Sequence, residues 1–167
     1  MVASGVATRL DLLSPEIWKT AACEHDWKDS LASARLIAHE MAHVFHGQHN
    51  PSPDFSQTQG LDWFVEGLAV LASRQCDSIR TAQLRKWLQT HQAPESLDLF
   101  WTGSQKYGLS GSMLMFIDQK IGRKKLYQLL TFTRKDEVLK AIQMGEPELI
   151  KAWRQWLEDG GPEKYYY

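Results

Sequence analysis

Cysteine is nearly missing from this 167-residue chain: Cys23 and Cys76 are the two thiols, without CxxC spacing. Two cysteines make no disulfide framework for a domain of this size, which points to a reducing, cytoplasmic setting. Long apolar runs are missing too, and without a stretch of about 18 such residues no helix is expected to span a membrane. The opening MVASGVATRLDLLSP has one Arg and no apolar block long enough for a signal-peptide core. Nor is there an excess of either charge: 19 Lys and Arg against 20 Asp and Glu leave −1. No global positive field exists to gather nucleic acid or an anionic membrane, and Arg123-Lys124-Lys125 is too short to supply one. That cluster reads as a solvated helix face. Repeats and low-complexity segments are absent, apart from a tail, GGPEKYYY (160–167), expected to fray.

What remains is an ordinary globular composition, 43% hydrophobic and 23% charged, in a length that encloses one core. A single domain over residues 1–167 is expected. A short strand is read at Thr8 to Leu13, where TRLDLL half-alternates before Ser14-Pro15. A helix starts at Asp29 or Ser30 with a good N-cap. Ala34, Ile37, Ala38, Met41, Ala42 and Phe45 give it an i, i+3, i+4, i+7 stripe that should face the core, and Gly47 should close it. Residues 50–60 read as a polar, proline-bearing loop. Next, LDWFVEGLAVLASRQ reads as a second helix with Phe64, Gly67, Leu68 and Leu71 inward. Further helices are expected over Ser78–Thr90, Lys106–Ile121, Arg123–Phe132, Lys135–Met144 and Glu148–Glu158. The fold class is therefore mainly α, with a short N-terminal strand. Trp63, Trp87, Trp153 and Trp156 read as packing residues rather than a ligand cage.

The chemistry concentrates in LIAHEMAHVFHGQHN (36–50), which holds four of the six histidines. His39-Glu40-Met41-Ala42-His43 is HExxH. Histidines four apart on a helix stand one turn apart, so both imidazoles reach one ion, while Glu40 points beside them toward a metal-bound water. That is the arrangement zinc hydrolysis requires: the ion lowers the pKa of its water to about 7 and a neighbouring carboxylate takes the proton. The motif arises by chance in roughly 1% of sequences of this composition, so its setting matters. Leu36 and Val44 flank the histidines, which suggests that a second layer covers them.

A catalytic zinc takes a third protein ligand, and two residues compete. His49, six after His43, nearly completes HExxHxxGxxH, but His46 stands where the turning glycine belongs and Gly47 comes one residue late. Glu66, 23 residues after His43, projects from the second helix among Trp63, Phe64, Val65, Leu68 and Val70, where an unpaired carboxylate would be costly. Gly67 beside it would let the second helix approach the first closely. Glu66 is favoured.

HExxH followed some twenty residues later by W-x-x-E-G-x-A resembles the gluzincin metallopeptidases, in particular the small peptidase MA-like domains. His39, Glu40, His43, Trp63, Glu66, Gly67 and Ala69 carry the likeness. Downstream, YGLSGSMLMFIDQKIGRKKLYQLL is similar to the family's Tyr-led helix, closing glycine and following Leu-rich helix, through Tyr107, Phe116, Gly122, Leu126 and Leu129. Upstream, TRLDLLSPEIW resembles the edge strand before the zinc helix. The likeness spans residues 8 to 130 and implies a zincin-like fold, one Zn2+ on His39, His43 and Glu66, Glu40 as general base, and a peptide or protein substrate.

The family usually places several strands before that edge strand, whereas this chain starts almost on it, which implies an abbreviated substrate-binding sheet. No acid stands four after Glu66, where Val70 is found, so the groups that orient the histidines are unassigned. Tyr107 is the candidate oxyanion stabiliser, with a structural tyrosine as the other reading. His91 is a weaker candidate, and His25 and His46 read as surface or capping histidines. Specificity is expected in loops 50–60 and 91–105. The rival to a peptidase is a metal-binding or inactive peptidase-like module that holds a peptide or protein partner.

Overall fold

The computed structural model describes residues 3–18 and 28–165, so Cys23 and His25 lie outside the described residues. Within them the chain is mainly α with an N-terminal strand pair. Strands β1 (Ala3–Val6) and β2 (Arg9–Leu12) form an antiparallel hairpin with Ala3 opposite Leu12 and Val6 opposite Arg9. β2 is the expected strand. β1 was not expected, because Ser and Gly at its centre are poor strand formers.

Helix α1 (Ser30–His49) begins where Asp29 accepts a hydrogen bond from Ala32 N at 2.9 Å. Gly47 does not close it. The helix runs on to His49, and Gly47 lies inside it where the backbones of Pro53 and Ala7 pass closest. The expected inner stripe is also overturned: Ala34, Ile37, Met41 and Phe45 are exposed and Ala42 alone is buried. The buried face carries His39, Glu40, His43, His46 and Gly47 instead. His39 and His43 turn inward to polar partners, Glu66 on the next helix and Gln75 just after it, whereas His46 turns inward to pack on Phe55 and Phe64.

Helix α2 (Asp62–Ala72) is the hub, with Trp63, Phe64, Val65, Gly67, Leu68, Ala69, Val70 and Leu71 all buried. It lies between α1 on one side and α4 (Lys106–Ile121) on the other. Gly67 serves the α4 contact and not the expected approach to α1: a Cβ there would stand 2.7 Å from both Ser110 O and Leu114 Cδ2. Helix α3 (Ser78–Thr90) is capped by Asp77, which accepts from Arg80 N.

Around this centre run α5 (Arg123–Gln128), which tightens into a 3-10 turn at Leu129–Thr131, then α6 (Lys135–Ile142), α7 (Glu146–Glu158) and α8 (Gly161–Tyr165). The single helix expected over Arg123–Phe132 is thus a helix and a 3-10 turn, and α7 starts two residues before the expected Glu148, with Pro147 in its first turn. A proline in the first turn has no intrahelical donor to lose. Residues 161–165 of the tail form α8 and make contacts to the rest of the fold: Tyr165 Oη donates to Asp118 Oδ2 at 2.6 Å and accepts from Arg123 Nη2 at 2.8 Å, and Arg85 pairs with Glu163. Those partners are distant in sequence, so local composition could not reveal them.

Trp63, Phe64, Phe100, Met113, Leu114 and Trp153 are fully buried in one continuous core, each large side chain contributing about 1.5–3 kcal/mol by leaving water. Trp153 Nε1 donates to Ser112 Oγ and Trp63 Nε1 to Gly60 O, so the indoles keep their polar edges satisfied. Trp87 and Trp156 pack against the same core. No helix among the described residues is long and apolar enough to cross a membrane. Cys76 is a free, buried thiol whose pKa burial pushes up to about 12.

Candidate metal centre

The helical register of α1 sets His39 and His43 one turn apart on its buried face, each only 7% exposed. Their rings meet edge to face with centroids 4.9 Å apart, and the two Nε2 atoms are 3.2 Å from each other. Glu66 enters from α2. Its Oε2 lies 3.3 Å from His39 Nε2 and 3.5 Å from His43 Nε2. Three donor atoms on two helices thus converge on one point, and this group can hold a metal ion. Burial raises the Glu66 pKa, but hydrogen bonds from His39 and His43, with their charges, outweigh it and bring the carboxyl down to about 2. The site is therefore supplied with a carboxylate rather than a neutral acid.

Glu40 lines the same cleft and is 8% exposed. Strand β1 crosses directly over it: a Cβ on Gly5 would fall 2.2 Å from the Glu40 carbonyl oxygen, so only glycine lets the hairpin lie that close. Residues 3–6 of β1 consequently form one wall of the cleft, and the wall is not the strand at 8–13 to which the sequence pointed. Tyr107, in the first turn of α4, forms part of another wall, its ring centroid 6.4 Å from that of His39. The Arg80 guanidinium sits 5.1 Å from the Tyr107 ring centre and Trp101 packs against it edge to face. The cleft encloses about 700 Å3, within the range of small-molecule and peptide sites.

Both loops read as specificity elements reach the cleft, residues 50–60 through Asp54 and Phe55, and 91–105 through Trp101. Asn50 secures the first: its Nδ2 donates to the carbonyls of Leu130 and Phe132, and its Oδ1 accepts from Ser52 N. Phe55, held at φ 60°, then sets its ring 6.1 Å from that of His43.

Of the other histidines, His49 is exposed on the continuing helix with Nδ1 2.8 Å from Phe45 O, outside the donor cluster. His91 is exposed and stacks on Trp87, away from the cleft. His46 corrects the sequence reading. It is not a surface histidine but 1% exposed and packed on Phe55 and Phe64, with the Leu130 carbonyl near enough to favour its charged form but outside good hydrogen-bond geometry.

The residue that sequence reasoning missed is Gln75, whose Oε1 lies 3.0 Å from His39 Nδ1. Its place 36 positions downstream carries no motif, and only the turn that ends α2 brings it back. Compared with models of protein families, with curated proteins and with solved structures, the chain matches none. What the protein does has therefore to be read from the chemistry of the site itself.

Proposed function

We propose that this chain is a zinc metallopeptidase of the gluzincin kind, hydrolysing peptide bonds at the His39, His43 and Glu66 centre with Glu40 as general base. One observation carries the reading: the donor triangle has edges of 3.2, 3.3 and 3.5 Å. Two ligands of a tetrahedral ion with bonds of about 2.0–2.1 Å stand about 3.3–3.4 Å apart, so the triangle has the size of one face of a zinc tetrahedron. Two imidazoles and one carboxylate also suit zinc better than they suit calcium or magnesium, which prefer all-oxygen sites. Three protein donors leave one position open, as catalysis requires.

When bound, zinc supplies a Lewis acid that lowers the pKa of its water to about 7. Glu40 takes a proton from the attacking water and delivers it to the leaving amine, the role its place in the cleft beside the ligands supports. Tyr107, which lines the same cleft, supplies a phenol to the oxygen on which charge develops. β1, Phe55 and Trp101 form walls against which an extended chain lies.

Glu40→Gln tests the reading, since it preserves size and leaves the three donors in place while removing the base. Zinc measured by elemental analysis should stay at one equivalent, and cleavage of a fluorogenic peptide library should fall about 100-fold or more. Undiminished cleavage would overturn the mechanism. A wild-type protein that holds zinc and cleaves nothing would favour the peptide-binding module instead.

A further inference from the structure

The carboxamide of Gln75 is the one polar side chain among the described residues hydrogen-bonded to the outer nitrogen of a candidate ligand. An amide oxygen only accepts, so its approach to Nδ1 at 3.0 Å requires the proton to sit on that nitrogen. With Nδ1–H committed to Gln75, Nε2 is the nitrogen that faces the donor triangle: without an ion it donates to Glu66, and it is the nitrogen whose proton an incoming metal displaces to gain the lone pair.

The chain builds this contact with some care. Helix α2 ends in a Schellman turn, with Arg74 left-handed at φ 56°, Arg74 N donating to Leu71 O and Gln75 N to Val70 O. Two further ties hold the turn. Arg80 Nε donates to the Gln75 carbonyl at 2.8 Å, and Arg35 on α1 pairs with Asp77 at 3.1 Å. The turn is thereby fixed both to α3 and to the helix that carries His39.

A neutral acceptor also suits the surroundings. Glu40 and Glu66 already place two carboxyls in the cleft, and a third would add repulsion among them whenever no cation is bound. An amide orients the imidazole without adding charge.

We propose that Gln75 is a positioning residue for the metal centre, fixing the Nδ1–H form and the ring plane of His39 through its side-chain carbonyl. The proposal rests on metal binding at His39, His43 and Glu66, and not on peptidase activity.

The test uses the full chain stripped of metal and titrated with zinc against a chromophoric chelator. Gln75→Met keeps the volume and loses the acceptor, whereas Gln75→Glu keeps an acceptor. Zinc affinity should fall about 10- to 100-fold in Gln75→Met and stay at or above the wild-type value in Gln75→Glu. In the zinc-loaded wild type the His39 Nδ1 proton should be visible by NMR, protected from exchange, and in Gln75→Met it should exchange freely. Equal zinc affinity in all three proteins with a protected proton in Gln75→Met would overturn the positioning role while leaving the metal site standing. So would a weakened Gln75→Glu that matches Gln75→Met, since the acceptor would then be irrelevant. A wild-type protein that binds no zinc would overturn both readings.

Discussion

Among the described histidines His46 is the most deeply buried, and its surroundings make it a store of acid sensitivity. Burial, then the nearby charge of His43, lower its pKa from 6.5 to about 4, with the Leu130 carbonyl acting the other way. A base whose folded pKa lies below its unfolded one binds fewer protons when folded, so stability rises with pH across the window between the two. The contribution is whole above pH 6.5 and is lost as pH falls toward 4, amounting to about 3 kcal/mol at most. His46→Leu should remove that slope. Urea melts of the metal-free proteins between pH 4 and 7 would show the wild type losing stability faster than the variant, and parallel curves would refute the account. The same residue shows where sequence reading stops. Spacing along one helix is a local property, so His39, Glu40 and His43 were legible, and Glu66 followed from its apolar neighbours. Which face of α1 turns inward is decided by what packs on it, and that left His46 and Gln75 unread.

At the scale of elements, the centre depends on how closely three of them approach. The starts of α1 and α3 were readable because N-caps are local: Asp29 and Asp77 each accept from a backbone N–H three residues on. The hairpin was half-readable, since β2 alternates while β1 owes its place to contact with α1 rather than to its own residues. Gly5 is the point of that contact. Adding one methyl there puts a carbon 2.2 Å from Glu40 O, on a backbone that cannot swing aside as a side chain would. Gly5→Ala should therefore lift the hairpin and cost about 1–3 kcal/mol, the usual range for overpacking. Because the three donors all lie on α1 and α2, on the proposed peptidase reading zinc content should be unchanged while peptide cleavage falls. A variant as stable and as active as the wild type would show that β1 does not form the cleft wall.

For the whole molecule, the two helices that supply the donors are linked along the chain by residues 50–61, and α2 is packed into the core through its apolar side chains. The core is large enough for folding to precede metal binding, so the metal-free chain should melt cooperatively. Unfolding separates His39 and His43 from Glu66, however, and any ion that binds the folded state alone must then stabilise it. Tm should rise with free zinc, the stability increasing by about 1.4 kcal/mol for each tenfold excess over Kd, and a chelator should reverse the shift. Two substitutions separate the rival third ligands. Glu66→Ala removes the carboxylate that stands within 3.5 Å of both imidazoles, so its Tm should be nearly indifferent to zinc. His49→Ala alters an exposed ring that hydrogen-bonds its own helix, so its Tm should follow zinc as the wild type does. The reverse pattern would require α1 to break at Gly47 and bring His49 round to the metal, which its unbroken course to residue 49 opposes. Scanning calorimetry of the three proteins across a buffered zinc series decides between them, and an equal zinc response in Glu66→Ala would remove the carboxylate from the centre.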